Sequence, residues 1–435
     1  MKNTLDAERK NINKLDKKIA RLFEKRMDSA DKIARYKSDN NMPIYVPERE
    51  EALIKQNSEL ISKPEYKSSY VKFQKNIMSL SRRYQNRIII ESDDKNDSFT
   101  RLDVTTENSS YPIFIGRSLI DEADKYLALD RRVFIVTDDG VPDIYAGKIK
   151  ELCKHATVMT VKSGEESKSI QTLMAVLDSM KEAEIDRTGC VVAVGGGVVG
   201  DLAGLAASLY MRGIDFYNVP TTSLSQLDSS IGGKTAVNLG GVKNLIGAFN
   251  QPKAVLIDVN TLSTLPLRHL RSGLCEAVKM AITFNKDLFK LFEVMSEDEI
   301  YERIDEIIAE SLKIKRHVVE MDEKENGIRR VLNFGHTIGH GIESQGGRYH
   351  GECVALGMLP MCADNVRQRL MKVLEKLGVP TSYDGDIDRA IKLATHDKKR
   401  CGDGIIAIFC NEIGAYEINS VSLNDLDKIT KRYFV

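Results

Sequence analysis

The sequence predicts a multidomain protein: an all-α front of three helices, then an α/β domain built on a parallel sheet, then an α-helical domain. Three observations carry this prediction. Apolar residues recur at helical spacing near the N-terminus, short β-type runs alternate with helices from Thr100, and helical patterns return beyond about Leu262. A chain of 435 residues is long enough for two or three separately cored domains. The texture changes place them at residues 1–90, 100–265 and 266–435, with 91–99 as a linker.

In the front segment, residues 5–37 read as one helix. Ile12, Leu15, Ile19, Leu22, Phe23, Ala30, Ile33 and Ala34 fall at helical spacing with no Pro or Gly among them. Arg26 and Lys37 lie almost in line with Ile19 and Ile33, so two cations point where apolar groups belong; buried cations require anionic partners. Pro43 and Pro47 end this helix, Glu48 to Leu60 form a second, and Glu65 to about Ile88 a third. Residues 91–98, ESDDKNDS, are polar and acidic without an apolar anchor, as a linker requires.

Beyond it, Tyr111 to Ile115 and Arg132 to Val136 read as strands and Ile170 to Glu184 as a helix. Cys190 to Val194 is a continuous apolar run, the pattern of a parallel strand covered on both faces. It enters Gly195-Gly196-Gly197-Val198-Val199-Gly200-Asp201 and an Ala/Leu helix. This is G-x-G-x-x-G between strand and helix, where a dinucleotide pyrophosphate meets a helix N-terminus. Gly233-Lys234-Thr235 imitates the end of a P-loop, but Asp228 occupies the place of its first glycine, which argues against an NTPase. Lys234 and Lys243 sit among Gly, Asn and small apolar residues, a setting suited to an anion pocket. Glu276 and Lys279, taken alone, read as a surface i,i+3 pair, and Asp322 to Gly327 as a charged turn.

The most informative stretch is Asn333 to Glu352, NFGHTIGHGIESQGGRYHGE, with three of the seven histidines. His336 and His340 share a helix face, and the Gly346-Gly347 turn could fold His350 back onto it. The clustering points to a metal site, and spacing alone favours His336 and His340 as ligands. Thr337 replaces the glutamate of HExxH, which argues against peptide hydrolysis. Balanced charge, 63 acids against 63 bases, leaves no footprint for nucleic acid. Seven cysteines without a CxxC pair fit reduced thiols. No secretory h-region and no apolar run of about 18 residues is present, so the expectation is a soluble, cytoplasmic protein without membrane partners.

Over residues 4–88, the order Arg9, Leu15-Asp16, Arg26, Lys37, Pro43, Arg49-Glu50 and Ser81 with Gln85 resembles the all-helical chorismate mutase family. The resemblance implies that Arg9, Arg26 and Arg49 bind the carboxylates of chorismate. It also implies that Lys37 and Gln85 face the ether oxygen and Glu50 a hydroxyl, with Ser81 among the chorismate-binding residues. A pericyclic rearrangement needs no nucleophile, only a held conformer and stabilised charge. Arg9 lies about 100° around the helix from Arg26, which the family's intertwined homodimer would explain by sending it to the partner's site. Val46 stands where some members carry aspartate.

Residues 100–435 resemble 3-dehydroquinate synthase through GGGVVGDLAG, RGIDF, VPTTSLSQLDSSIGGKTAVN, KNLIGAF, LCEAVK, RRVLNFGHTIGHGIE, YHGE and Asp397-Lys398-Lys399. The resemblance implies a Rossmann-like NAD-binding domain followed by a helical metal- and substrate-binding domain. The implied reaction converts 3-deoxy-D-arabino-heptulosonate 7-phosphate to 3-dehydroquinate through transient oxidation by NAD, phosphate elimination, re-reduction and aldol closure. Carried over by position, Glu276, His336 and His350 bind zinc, or cobalt as a substitute, and His340 moves to a hydrogen-bonding role near the phosphate. Lys234, Lys243, Asn244, Lys279, Lys315, Arg329, Asn333 and Lys398 form the substrate cage, and Arg212 reaches a neighbouring subunit's site. Asp138, Glu165, Lys168, Gly196, Gly197, Asp201, Thr221, Thr222, Asp228 and Thr264 match NAD contacts. Gly140, His269 and Met280 depart from residues common in the family. Two other readings are a metal-dependent polyol dehydrogenase for the large region and a non-catalytic effector-binding or dimerising module for the first 90 residues.

Overall fold

The computed structural model describes residues 2–39, 47–92, 99–107, 109–396 and 404–434. They fall into two compact units, Met1–Asp97 and Ser98–Val435.

The first unit is three helices, α1 Lys2–Asp39, α2 Pro47–Glu59 and α3 Pro64–Ser92. Pro47 opens α2, where a missing N–H costs no helical bond, and Glu48 and Glu50 complement the helix dipole in its first turn. The third helix runs to Ser92, beyond the expected end at about Ile88 and into the stretch read as linker. Ala30, Ala34, Lys37, Met78, Ser81 and Gln85 are buried, so the C-terminal half of α1 packs on α3. Ile12, Leu15, Ile19 and Leu22, the apolar stripe of the N-terminal half, are exposed. Pro43 and Val46 lie outside the described residues.

The second unit begins with β1 Thr100–Thr105, β2 Ser110–Gly116, β3 Arg132–Asp138 and β4 His155–Val161. It continues through β5 Cys190–Gly195, β6 Asp215–Pro220, β7 Lys234–Leu239, β8 Val242–Phe249 and β9 Ala254–Asp258. Seven of these form one sheet in the order β1-β2-β9-β6-β5-β3-β4, parallel except for the β1–β2 pair. The strands β7 and β8 form a separate antiparallel hairpin. Helices α4 Asp143–Glu151, α5 Ile170–Glu182 and α6 Gly197–Leu209 cover the sheet. Strand β5 shows why its sequence is uniformly apolar: Cys190, Val192 and Val194 enter one core, while Val191 and Ala193 enter another on the opposite face. The chain steps outward from β3 to β4, then returns to lay β5 on the other side of β3. The carboxyl ends of β3 and β5 therefore flank a topological switch point, the crevice where such sheets bind ligands.

The remainder is helical: α7 Leu267–Phe284, α8 Lys286–Val294, α9 Glu297–Glu302, α10 Ile304–Met321, α11 His336–Glu343, α12 His350–Met358, α13 Asp364–Lys376, α14 Ile387–His396 and α15 Leu423–Phe434. Local signals set several boundaries. Asn285 caps α8, and Ser296 with Glu299 forms a capping box on α9. A hairpin of β10 Ile405–Phe409 and β11 Glu417–Val421 interrupts these helices and was not legible in the sequence. One apolar core joins β1, β2 and β9 to the helices, so residues 98–435 cohere as one unit. The centre of α7 is buried all round, from Ser272 to Thr283. Among the described residues no helix is long and apolar enough to cross a membrane.

Candidate active site

A cavity of about 470 Å³ opens in the second unit between the β7–β8 hairpin and the helices. It is lined by Asp201, Asp228, Lys234, Asn244, Lys279, Lys315, Arg329, Asn333, His336, His340 and His350, among others. Eleven residues singled out in the sequence thus share one cavity. Among the other residues expected there, Lys398 lies outside the described residues. Arg212 ends the exposed turn Tyr210–Arg212 with φ 71° and does not line the cavity.

Three helices bring the metal-type ligands together. Glu276 is on α7, His336 starts α11 and His350 starts α12; one ligand atom of each lies within 4.8 Å of the others. His350 Nε2 is 3.5 Å and His336 Nε2 4.0 Å from Glu276 Oε1. The Gly346-Gly347 turn, with φ of 82° and 81°, reverses the chain between α11 and α12 as the sequence implied. At Gly351 a β-carbon would lie 1.8 Å from the Ser272 carbonyl oxygen, so α12 reaches α7 only because this position lacks a side chain. His340 also faces the cavity, its ring 5.2 Å from that of His336 and 5.9 Å from that of His350.

Glu276 is fully buried and neither carboxylate oxygen accepts a well-directed hydrogen bond; Lys279 Nζ approaches Oε2 at 2.5 Å as an ion pair. Burial opposes ionisation of Glu276, but Lys279 and the two imidazoles outweigh it and hold the carboxyl well below the usual range. Burial and the Lys279 charge push His336 well below its ordinary value, so its imidazole is neutral. Burial also disfavours His350 carrying a charge, but the nearby carboxylates of Glu276 and Glu343 raise it to about 10. A buried carboxylate with open lone pairs, a neutral imidazole and a second imidazole between two carboxylates fit a divalent cation. The surface reading of Glu276 and Lys279 is corrected: both are buried because α7 runs through the core.

Lys279, Lys315 and Arg329 are 1%, 5% and 3% exposed, three buried cations on one cavity. Lys315 pairs with Asp228 at 2.6 Å, and Arg329 donates to the Gly232 carbonyl at 2.9 Å and to the Glu323 carbonyl. Burial lowers Lys315 to about 8 despite Asp228, and it also lowers Arg329. Glu325, missed in the sequence, pairs with Lys234 and accepts from Asn333 Nδ2 at 2.5 Å. Its φ of 61° is costly for a glutamate, a strain that collects at functional sites. The only sequence signal was the charged turn, whose Asp322 accepts the backbone N–H groups of Asn326, Gly327 and Arg329. The lysines Lys234 and Lys243, read as anion binders, each face a carboxylate: Glu325 and Glu343.

The expected dinucleotide contacts gather at the carboxyl ends of the strands. Asp138 ends β3, Glu165 follows β4, Gly196 and Gly197 join β5 to α6, and Thr221 and Thr222 follow β6. Thr264 ends the short helix after β9 and its hydroxyl lies 2.9 Å from that of Tyr145. Gly196 caps α6 without a side-chain bond, leaving first-turn N–H groups for an anion. Lys168 is bound 2.5 Å from both Asp201 and the Asn244 side chain, which ties this region to the cavity. Gly140 donates its N–H to Asp138 at 2.8 Å. His269 stacks on Tyr349 at 4.3 Å, and Met280 is buried against Val318 and Leu332, so both are packing residues.

In the first unit Lys37, Ser81 and Gln85 are buried together with Gln85 Oε1 unpartnered, and Arg26 donates to the Ile77 carbonyl at 3.3 Å. Burial lowers Arg26, opposed by the charge of Glu50 nearby. Arg49 is exposed, and Arg9 is exposed beside Asp6 at 3.8 Å.

Comparison with known proteins follows the same division. Residues 158–272 match the 3-dehydroquinate synthase N-terminal family, 273–400 its C-terminal counterpart, and 8–86 chorismate mutase type II. A 3-dehydroquinate synthase of Enterococcus faecalis is 40% identical over 353 residues, covering 76% of this chain and 99% of the relative. One from Campylobacter concisus is 39% identical over 342 residues, covering 75% and 96%. Among solved structures, 2-deoxy-scyllo-inosose synthase with carbaglucose-6-phosphate, NAD+ and Co2+ matches at TM-score 0.71 and 26% identity, covering 77% of this chain and 100% of that one. The 2-epi-5-epi-valiolone synthase of Streptomyces hygroscopicus with NAD+ and Zn2+ matches at 0.69 and 25%, covering 76% and 98%.

Proposed function

The chain belongs to the 3-dehydroquinate synthase family with a type II chorismate mutase region ahead of it, and on that premise we propose a bifunctional enzyme of aromatic biosynthesis. Its large unit converts 3-deoxy-D-arabino-heptulosonate 7-phosphate to 3-dehydroquinate and phosphate; its front unit converts chorismate to prephenate. The observation that carries the synthase reading is the convergence of buried Glu276 with His336 and His350, two residues that line a cavity together with buried Lys279, Lys315 and Arg329.

Glu276, His336 and His350 hold a divalent ion, zinc by their donor set, with cobalt a workable substitute. The strand ends around Asp138, Gly196, Gly197 and Thr222 hold NAD. When bound, the ion polarises substrate hydroxyls and NAD accepts and returns a hydride. The remaining work falls to the chain's own side chains. Lys315 and Arg329 are fixed cations for the substrate's anionic groups, oriented by Asp228 and Gly232 before substrate arrives, so little reorganisation is needed. Lys234 and Asn333 line the cavity from the hairpin and the turn before α11, both held by Glu325, while Lys243 on the same hairpin is held by Glu343. His340 lines the same cavity and takes a hydrogen-bonding role toward the substrate phosphate.

In the front unit Arg26, Lys37 and Gln85 hold chorismate and stabilise charge on its breaking ether. Exposed Arg9 and the exposed stripe of α1 support a homodimer in which Arg9 serves the partner's pocket. The free cysteines support a cytoplasmic setting.

The test is phosphate release from the heptulosonate with NAD omitted, with NAD restored, and after chelation, with chorismate loss followed on the same sample. Phosphate release should require both NAD and metal, without net NADH, while chorismate loss survives chelation. Accumulating NADH from a polyol without phosphate release would favour a polyol dehydrogenase instead.

A further inference from the structure

Glu343 ends α11, seven residues after His336 and three after His340, so the three side chains share a helix face. Its side chain is 18% exposed and makes two contacts. His350 Nδ1 lies 3.2 Å from Oε2, and Lys243 Nζ donates to Oε1 at 2.9 Å. The other nitrogen of His350 faces Glu276. With Nδ1 donating to a carboxylate, the ring plane and tautomer of a metal-bound imidazole are fixed, and Nε2 is the nitrogen left to face the metal locus. Lys243 arrives from β8, on the hairpin whose other strand carries Lys234.

We propose that Glu343 is a positioning residue that orients His350 as a metal ligand and anchors Lys243 on the hairpin next to cavity-lining Asn244, so that metal retention and anion binding share one carboxylate. The inference rests on the reading of Glu276, His336 and His350 as the metal site. No part of it requires Glu343 to touch substrate or ion.

The test strips the full chain and reloads it with Co2+, measuring affinity by competition with a chromophoric chelator and recording the cobalt absorption bands. Glu343→Ala should weaken Co2+ binding about 10- to 100-fold and shift the bands. Glu343→Gln, whose amide oxygen still accepts from Nδ1, should restore most of both. Lys243→Met should raise KM for the heptulosonate phosphate while leaving Co2+ affinity unchanged. Unchanged affinity and bands in Glu343→Ala, with His336→Ala unable to bind, would overturn the inference. So would complete loss of Co2+ in Glu343→Gln, which would make Glu343 a ligand. Retention of Co2+ by His336→Ala would instead remove the metal reading itself, and the inference with it. Melting of each variant in chelator separates misfolding from lost binding.

Discussion

Lys315 makes the alkaline behaviour of the synthase predictable. Its ammonium is almost wholly buried, and burial, only partly offset by Asp228, lowers it from 10.5 to about 8. That displacement corresponds to about 3 kcal/mol against the charged form. If the substrate anion needs this cation, kcat/KM should fall tenfold per pH unit above about pH 8. The fall should level off once the lost hydrogen bond to a charged group is spent, about 10- to 150-fold below the plateau. The assay is phosphate release at low substrate from pH 6.5 to 10. Lys315→Arg keeps its charge throughout this range and should move the limb out of it, while Lys315→Met should be low and flat. The sign for stability is the reverse. Between about pH 8 and 10.5 the unfolded chain binds the proton and the folded one does not. The unfolded state therefore holds more protons, and this group's contribution to stability rises with pH across that window. A flat profile to pH 9.5, or an unchanged limb in Lys315→Arg, refutes the assignment.

The close approach at Gly351 predicts that Gly351→Ala forces α12 away from the Ser272 carbonyl, costs about 1–3 kcal/mol of stability and lowers bound metal; unchanged melting and metal content would contradict it. In the front unit, Arg9→Ala and Lys37→Ala should each lose chorismate mutase activity. Mixing the two after partial unfolding and refolding should recover part of it, because a mixed dimer rebuilds one complete pocket; no recovery would place Arg9 outside the partner's site.

Much of the architecture was legible because it is written locally. Apolar spacing gave the three helices, the uninterrupted run at Cys190 gave a strand covered on both faces, and the glycines after it gave the turn into α6. The histidine stretch marked the neighbourhood of the site, and quoted motifs placed most residues that the cavity gathers. Spacing alone nevertheless preferred His336 with His340, and it put Glu276 and Lys279 on the surface, because linear distance says nothing about what lies against a helix.

Those points are decided by packing between segments far apart in the chain. Gly351 lets α12 touch α7 and so carries His350 to Glu276 across more than seventy residues of sequence. Glu325 and Glu343 gained their roles only when the hairpin brought Lys234 and Lys243 to them, and the left-handed backbone of Glu325 has no residue signature. Periodicity and turn chemistry act over a few residues, so the chain alone determined its elements. Electrostatic pairing acts across space, so only the tertiary structure decided which charges meet and which are shut away from water.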